Sequence, residues 1–271
     1  MVGYWPAPST PVPSNWEWPI DGDDLRRHRH WHDGYVDQLS GESETALTRA
    51  QASAAVTPLG WRYVLGVART SVRVGSLAEA AGLAARLAQT CGPEADERLL
   101  LDVRPERLVI TVRELVAGPL TAREIDLVHQ ISAAVGEAGL STDADVGSAE
   151  RRSVQVLEIA IDALDIASIR PFWKAVLGYV DEPGHSGPED AIVDPVGQGP
   201  AIWFQQMAKP RPQRNRIHFD VSVPHDEAAS RMQAVLGAGG RCVYEAEAPA
   251  FWALADAEGN EACITTWQGR D

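Results

Sequence analysis

The stretch Val154-Gln-Val-Leu-Glu158-Ile-Ala-Ile161-Asp-Ala-Leu-Asp165 decides how the second half of the chain is read. Its opening reads as a strand, and Asp165 caps a helix that Gly178 stops. Further strands follow and end in Ala201-Ile-Trp-Phe-Gln205. The order then repeats. Arg216-Ile-His218-Phe-Asp220-Val reads as a strand, a helix runs through Asp226–Leu236 to a glycine stop, and the last strand is Glu261-Ala-Cys263-Ile-Thr. Two units of about 55 residues with one order of elements predict a pseudo-twofold domain of paired βαβββ units, spanning 154–271. Their sheets would curve around a shared cleft sized for a small molecule.

Upstream, Ser141–Ser153 is polar and small and reads as a linker. From 45 to 140 the pattern is helix, strand, helix, strand, strand, helix. Val64, Val67, Val72 and Val74 mark extended chain over Arg62–Val74. Ser76-Leu-Ala-Glu79 and Thr121-Ala-Arg-Glu124 are capping boxes. The first opens an Ala- and Leu-rich helix ending near Thr90, and the second opens the helix bearing Ile125, Val128, Ile131 and Val135. Leu99–Val103 and Leu108–Leu115 are strands about the turn Arg104-Pro-Glu-Arg107. The fold class expected for the whole chain is therefore α+β. Residues 1–44 read as an arm: Pro6, Pro8, Pro11, Pro13 and Pro19 exclude an early helix, and Trp5, Trp16 and Trp18 are apolar enough to pack onto a domain. His28, His30 and His32 sit among Arg26, Arg27 and Arg29, which would repel a cation.

A chain of 271 residues can bury two cores. Its formal net charge of −14 argues against a phosphate-binding surface, and no basic stripe stands out, so no nucleic-acid partner is expected. No apolar run of about eighteen residues and no export signal are found, which predicts no membrane span. Cys91, Cys242 and Cys263 are scattered, with no CxxC spacing. A reducing cytoplasm is the expected location.

The phrase Asp162-Ala-Leu-Asp165, followed by Ile169-Arg-Pro-Phe172-Trp173-Lys-Ala-Val-Leu177-Gly178-Tyr179, resembles the opening of glyoxalase-like (vicinal-oxygen-chelate) domains. The second unit adds Asn215-Arg216-Ile-His218-Phe-Asp220-Val and the closing Asp256-Ala-Glu-Gly259-Asn260-Glu261. The resemblance implies up to four cleft-facing metal ligands, one on the first and last strand of each unit. By position these fall on Glu158, Gln205 (or Trp203), His218 and Cys263. The family's usual first histidine and last glutamate are both replaced, which argues against a hard-metal site. No cofactor is expected; if a divalent ion binds, Glu158 and His218 would hold it. Strand parity puts Glu158 and His218 on the cleft face, where each could hydrogen-bond the other, and a carboxylate beside an imidazole favours its protonated form.

Gly60-Trp61, the Ala-rich helix and Gly118-Pro-Leu120-Thr121 with Glu124-Ile-Asp-Leu resemble pterin-4a-carbinolamine dehydratase, helices packed on one face of an antiparallel sheet. That resemblance implies a histidine cluster. Cys91-Gly92-Pro93 stands where a His-His-Pro triplet belongs, and Arg113 stands where the third histidine belongs. Arg113 cannot give up its proton, so the dehydration is expected to be lost. A pocket lined by Trp61, Cys91, Arg113 and Glu114 would remain. An exposed edge strand there, with the family's habit of assembly, implies a homodimer.

Three functions stay open. One is a lyase, isomerase or cyclase in the glyoxalase-like cleft, using Glu158, His218 and Asp220 as acid and base. A second is a non-catalytic binder of a small molecule, with Trp203, Gln205, Trp252 and Cys263 lining that cleft. The third is residual pterin handling in the first domain.

Overall fold

In a computed structural model of the chain, residues 46–113, 119–146, 152–210 and 217–269 are described. The Pro- and Trp-rich arm, with its three alternating histidines, and Glu114 lie outside the described residues.

The first half builds α1 (Arg49–Val56), β1 (Arg62–Val64), β2 (Val67–Arg73), α2 (Leu77–Cys91), α3 (Pro93–Arg98), β3 (Leu99–Arg104), β4 (Arg107–Val112) and α4 (Ala122–Glu137). The strands form one antiparallel sheet in the order β1-β2-β4-β3. Period-two alternation gives that sheet two unlike faces. Val72, Leu108, Ile110 and Val112 meet Leu83 and Leu87 of α2 and Leu127 and Ile131 of α4 in one core. The Thr121 box closes as expected, with the Glu124 carboxylate reaching back to the Thr121 amide at 2.8 Å. At Ser76 the geometry differs. The Ser76 hydroxyl takes the Glu79 amide, but the Glu79 carboxylate reaches one residue further back, to the Gly75 amide. Glu124 is fully buried and is held at 2.8 Å by Nε of Arg98.

The polar segment after α4 is partly built into the first sheet, which its composition does not announce. Thr142–Asp143 forms β5 against β2, and Asp145–Val146 (β6) pairs with Arg152–Ser153 (β7). Gly60 explains the close approach: it has φ +75°, and a Cβ there would sit 2.5 Å from the Thr142 carbonyl oxygen. Val154 is buried, its amide donates to the Ala144 carbonyl, and the Gln155 carbonyl accepts from Arg69.

The second half contains β8 (Glu158–Ala163), α5 (Ile166–Leu177), β9 (Val180–Asp181), β10 (Ile192–Val193) and β11 (Ala201–Gln206). The same order returns as β12 (Phe219–Ser222), α6 (Ala228–Gly237), β13 (Arg241–Tyr244), β14 (Phe251–Ala255) and β15 (Glu261–Thr265). Both sheets have one topology, β8-β11-β10-β9 and β12-β15-β14-β13, with the first and last strands parallel. The two units share one core: Ile161, Ile169, Phe172, Trp173, Ile202 and Phe204 from one pack with Val235, Leu254 and Ile264 from the other. The fold is α+β, with two βαβββ units in its second half.

The repeat extends to its turns. Asp194 accepts the amides of Val196, Gln198 and Gly199, folding the turn between β10 and β11. Its counterpart Asp256, fully buried between β14 and β15, accepts the Glu258 and Asn260 amides on one oxygen. The other oxygen takes the Asn260 side-chain amide and the Trp173 indole N–H, at 2.8 and 3.1 Å. Glu258 then crosses to the first unit and accepts the amides of Leu164 and Asp165 at the head of α5. One turn thus ties the second unit to the head and to the middle of the first unit's helix.

Candidate functional site

Strand register fixes which side chains share the face turned away from the helices. On β8 the core side holds Ile159, Ile161 and Ala163, so Glu158, Ala160 and Asp162 take the open side. Their partners on β11 are Ala201, Trp203 and Gln205. In the second unit Phe219 and Val221 pack inward, leaving Asp220 and Ser222 on the open side, paired with Cys263 and Thr265 of β15. Next to them on β14 come Ala253 and Phe251. Trp252 does not belong to this face: it pairs with Ile264 and packs against the core, so Phe251 supplies the aromatic side chain expected of it. The cause is parity alone, since a one-residue step along a strand changes the face.

His218 immediately precedes β12 and shares the parity of Asp220. Its Nε2 lies 3.3 Å from an Asp220 carboxylate oxygen, with the two side chains 50% and 61% exposed. Cys263 joins them: an imidazole nitrogen, a carboxylate oxygen and the thiol sulfur all lie within 4.8 Å of one another. Glu158 was expected beside His218 across the cleft; the carboxylate found there is Asp220, from the same strand, and Glu158 is not part of the triad. The i, i+2 spacing of His218 and Asp220 carries this signal, because alternate strand residues are neighbours on one face.

The family's four ligand positions do not converge as a set here, but a three-donor group does. Imidazole nitrogen, carboxylate oxygen and thiolate sulfur suit a borderline ion such as zinc and leave a coordination position open. A hard, all-oxygen ion fits this donor set poorly.

The pocket expected in the first half is composed differently. Trp61 is fully buried in the core and its indole N–H donates to Ser132, so it lines no pocket. Arg113 is exposed. Of the expected residues that are described, Cys91 lines a cavity of about 320 Å³, together with Glu94, Arg123, Asp126 and Gln130. Burial, and then the Glu94 charge, pushes the Cys91 thiol up from its ordinary pKa, which disfavours the thiolate. Among the described residues no helix is long and apolar enough to cross a membrane.

Residues 158–265 match the family profile of the glyoxalase-like domain. No curated protein matches the sequence. Three solved structures are similar over part of it. A glyoxalase/bleomycin resistance protein/dioxygenase family enzyme from Burkholderia phytofirmans is 14% identical over 40% of this chain and 95% of its own, with a TM-score of 0.31. A fosfomycin resistance protein from Listeria monocytogenes, in complex with manganese(II) and a dihydroxypropylphosphonic acid, is 12% identical over 43% and 95%, at 0.33. A transcriptional coactivator/pterin dehydratase from Brucella melitensis is 19% identical over 33% and 98%, at 0.30.

Proposed function

We propose that the glyoxalase-like domain at residues 158–265 is an enzyme of small-molecule metabolism that moves a proton on a carbonyl-bearing substrate, in a lyase, isomerase or cyclase reaction. The observation that carries this reading is the His218–Asp220 pair, 3.3 Å apart on an open sheet face. Asp220 lies beside the imidazole and orients it, and His218 takes the proton. Glu158, on the open face of the other unit, is the second acid–base group, and Trp203 and Phe251 bound the substrate.

Deuterium exchange tests it. The purified chain in D₂O, with a panel of small α-hydroxy ketones, should speed exchange of the proton next to the carbonyl in at least one of them, followed by proton NMR. His218→Gln should lower that rate by about a hundredfold, the usual scale of a lost general base. A variant that exchanges as fast as the parent chain contradicts the assignment.

A second reading is favoured by Cys263. His218, Asp220 and Cys263 would hold a divalent ion, which when bound supplies Lewis-acid polarisation of the carbonyl oxygen. His218 would then be a ligand, and Glu158 would be left to act as the base. Near-stoichiometric zinc in protein purified without chelator, lost in Cys263→Ser, supports this reading over the first.

A further inference from the structure

The net charge of −14 hides a basic surface. Register pairs Arg62 with Arg69 across β1 and β2, Arg73 with Arg107 across β2 and β4, and Arg104 with Arg107 across β3 and β4. Arg69 and Arg73 are four apart on β2. All five arginines therefore lie on one face of the first sheet, the face away from its helices. The acids of that face are Asp102 and Asp143, which pair in register with Val109 and Ser71.

The segment leading into β8 roofs part of this face. Val154 and Gln155 line a groove of about 460 Å³ with Val109, three arginines (Arg69, Arg104 and Arg107) and two acids, Asp102 and Glu106, which leave one positive charge in excess. That volume falls in the range of small-molecule sites. Arg69 is held in the groove wall by one bond, Nη1 to the Gln155 carbonyl at 2.7 Å. Its Nε is buried and has no hydrogen-bond partner among the described residues. A buried cationic donor left unmatched costs free energy, and it points to a group that completes it. Arg104 is paired with Asp102, and Arg107 is 3.8 Å from a largely exposed Glu106, so their remaining N–H groups can still turn to a ligand. Guanidinium forks match phosphate and carboxylate oxygens two at a time.

We propose that this groove is a second ligand site, separate from the glyoxalase-like faces, and that it binds the oxyanion of a small organic molecule. The oxyanion is a phosphate or a pair of carboxylates, taken by Arg69, Arg104 and Arg107. Val109 and Val154 bound the apolar part of the same molecule. The site belongs to the sheet and its roof together, because Val154 and Gln155 supply one wall.

Isothermal titration of the full chain with pyrophosphate at low salt tests this, with citrate as the dicarboxylate probe. One saturable site per chain is expected for at least one of the two. Arg107→Met and Arg69→Met should each weaken it at least tenfold. Arg104→Ser, a more exposed position, should weaken it several-fold and guards against loss of folding in the Arg69 variant. Arg86→Met, which removes a cation paired with Glu137 on the helical side, should leave it unchanged. Absence of saturable binding by both probes at millimolar concentration overturns the site. Equal weakening by Arg86→Met overturns it as well, since the attraction would then be that of charge in general.

Discussion

The open sheet faces of the two halves carry opposite charge. On the first sheet, alternation collects Arg62, Arg69, Arg73, Arg104 and Arg107 on the side away from the helices. On the glyoxalase-like sheets, the same alternation collects Glu158, Asp162, Asp220 and Glu261 against one cation, Arg241, with His218 at the head of its strand. A sum over the chain reports only the acidic excess. Charge acts through its local arrangement, and in strands that arrangement is set by parity. The difference also separates the chemistries: the first face suits an oxyanion, and the second suits proton transfer or a divalent ion.

If the two faces belong to two independently cored halves, damage to one half must leave the other working. The largest effect is expected at Asp256. Its carboxylate satisfies four donors in a fully buried turn, and Asp256→Ala strands the Trp173 indole N–H and the amides of Glu258 and Asn260. A loss of about 4 kcal/mol is expected, the scale of several buried donors left unpaired. Denaturant melts followed by Trp173 fluorescence should show it. The pyrophosphate titration should be unaffected, and a joint loss of both signals would mean that the halves fold as one cooperative unit.

The reciprocal change is Glu124→Gln. It removes the charge that faces Arg98 inside the first core, where the Glu124 side chain has no exposure and that of Arg98 has 9%. Breaking a buried pair from one side costs about 3 kcal/mol, because the remaining ion keeps its desolvation penalty. Circular dichroism melts should report an earlier first-half transition, with deuterium exchange at the glyoxalase-like face retained. An unchanged melting curve would mean that Glu97, the other carboxylate on Arg98, suffices.

Much of this was legible before any coordinates. The doubled order of elements and the Asp165 and Gly178 boundaries are properties of local sequence, and they emerged within a few residues. His218, Asp220 and Cys263 also stand out as chemistry-bearing types. Their grouping did not, because which carboxylate meets His218 depends on sheet pairing, and Asp220 on the same strand is nearer than a guess from pseudosymmetry suggested. Trp252 failed by a single step of parity. For Trp61 the reason differs: the dehydratase resemblance implies a pocket wall, yet its indole bonds Ser132, seventy-one residues on, from within the core. The Asp256 turn was visible as a motif without a role, since Trp173 meets it through the shared core and Leu164 through its backbone amide. The arginine face is not a stripe along the chain: its residues are spread from 62 to 107 and meet only through strand pairing.

The smallest expected effect is on the acid limb of stability. Lys174 and Arg170 hydrogen-bond Asp181 and hold its carboxyl below the usual range against a small burial cost. At Asp194 burial works in the opposite direction, but the amides of Gly199, Val196 and Gln198 outweigh it and the carboxyl again stays low. In both cases the folded pKa lies below the unfolded one. The stability each contributes is therefore complete above the unfolded carboxylate value, about 4, and is lost as pH falls through the folded value. Both aspartates belong to the glyoxalase-like half, so its melting temperature should fall as pH drops below about 4. Both are partly exposed, which screens the effect and keeps it below those of Asp256 and Glu124. In a chain carrying Asp181→Asn and Asp194→Asn the fall should be shallower, starting from a lower value at neutral pH. A fall of the same steepness in parent and variant would place the acid sensitivity in other carboxylates.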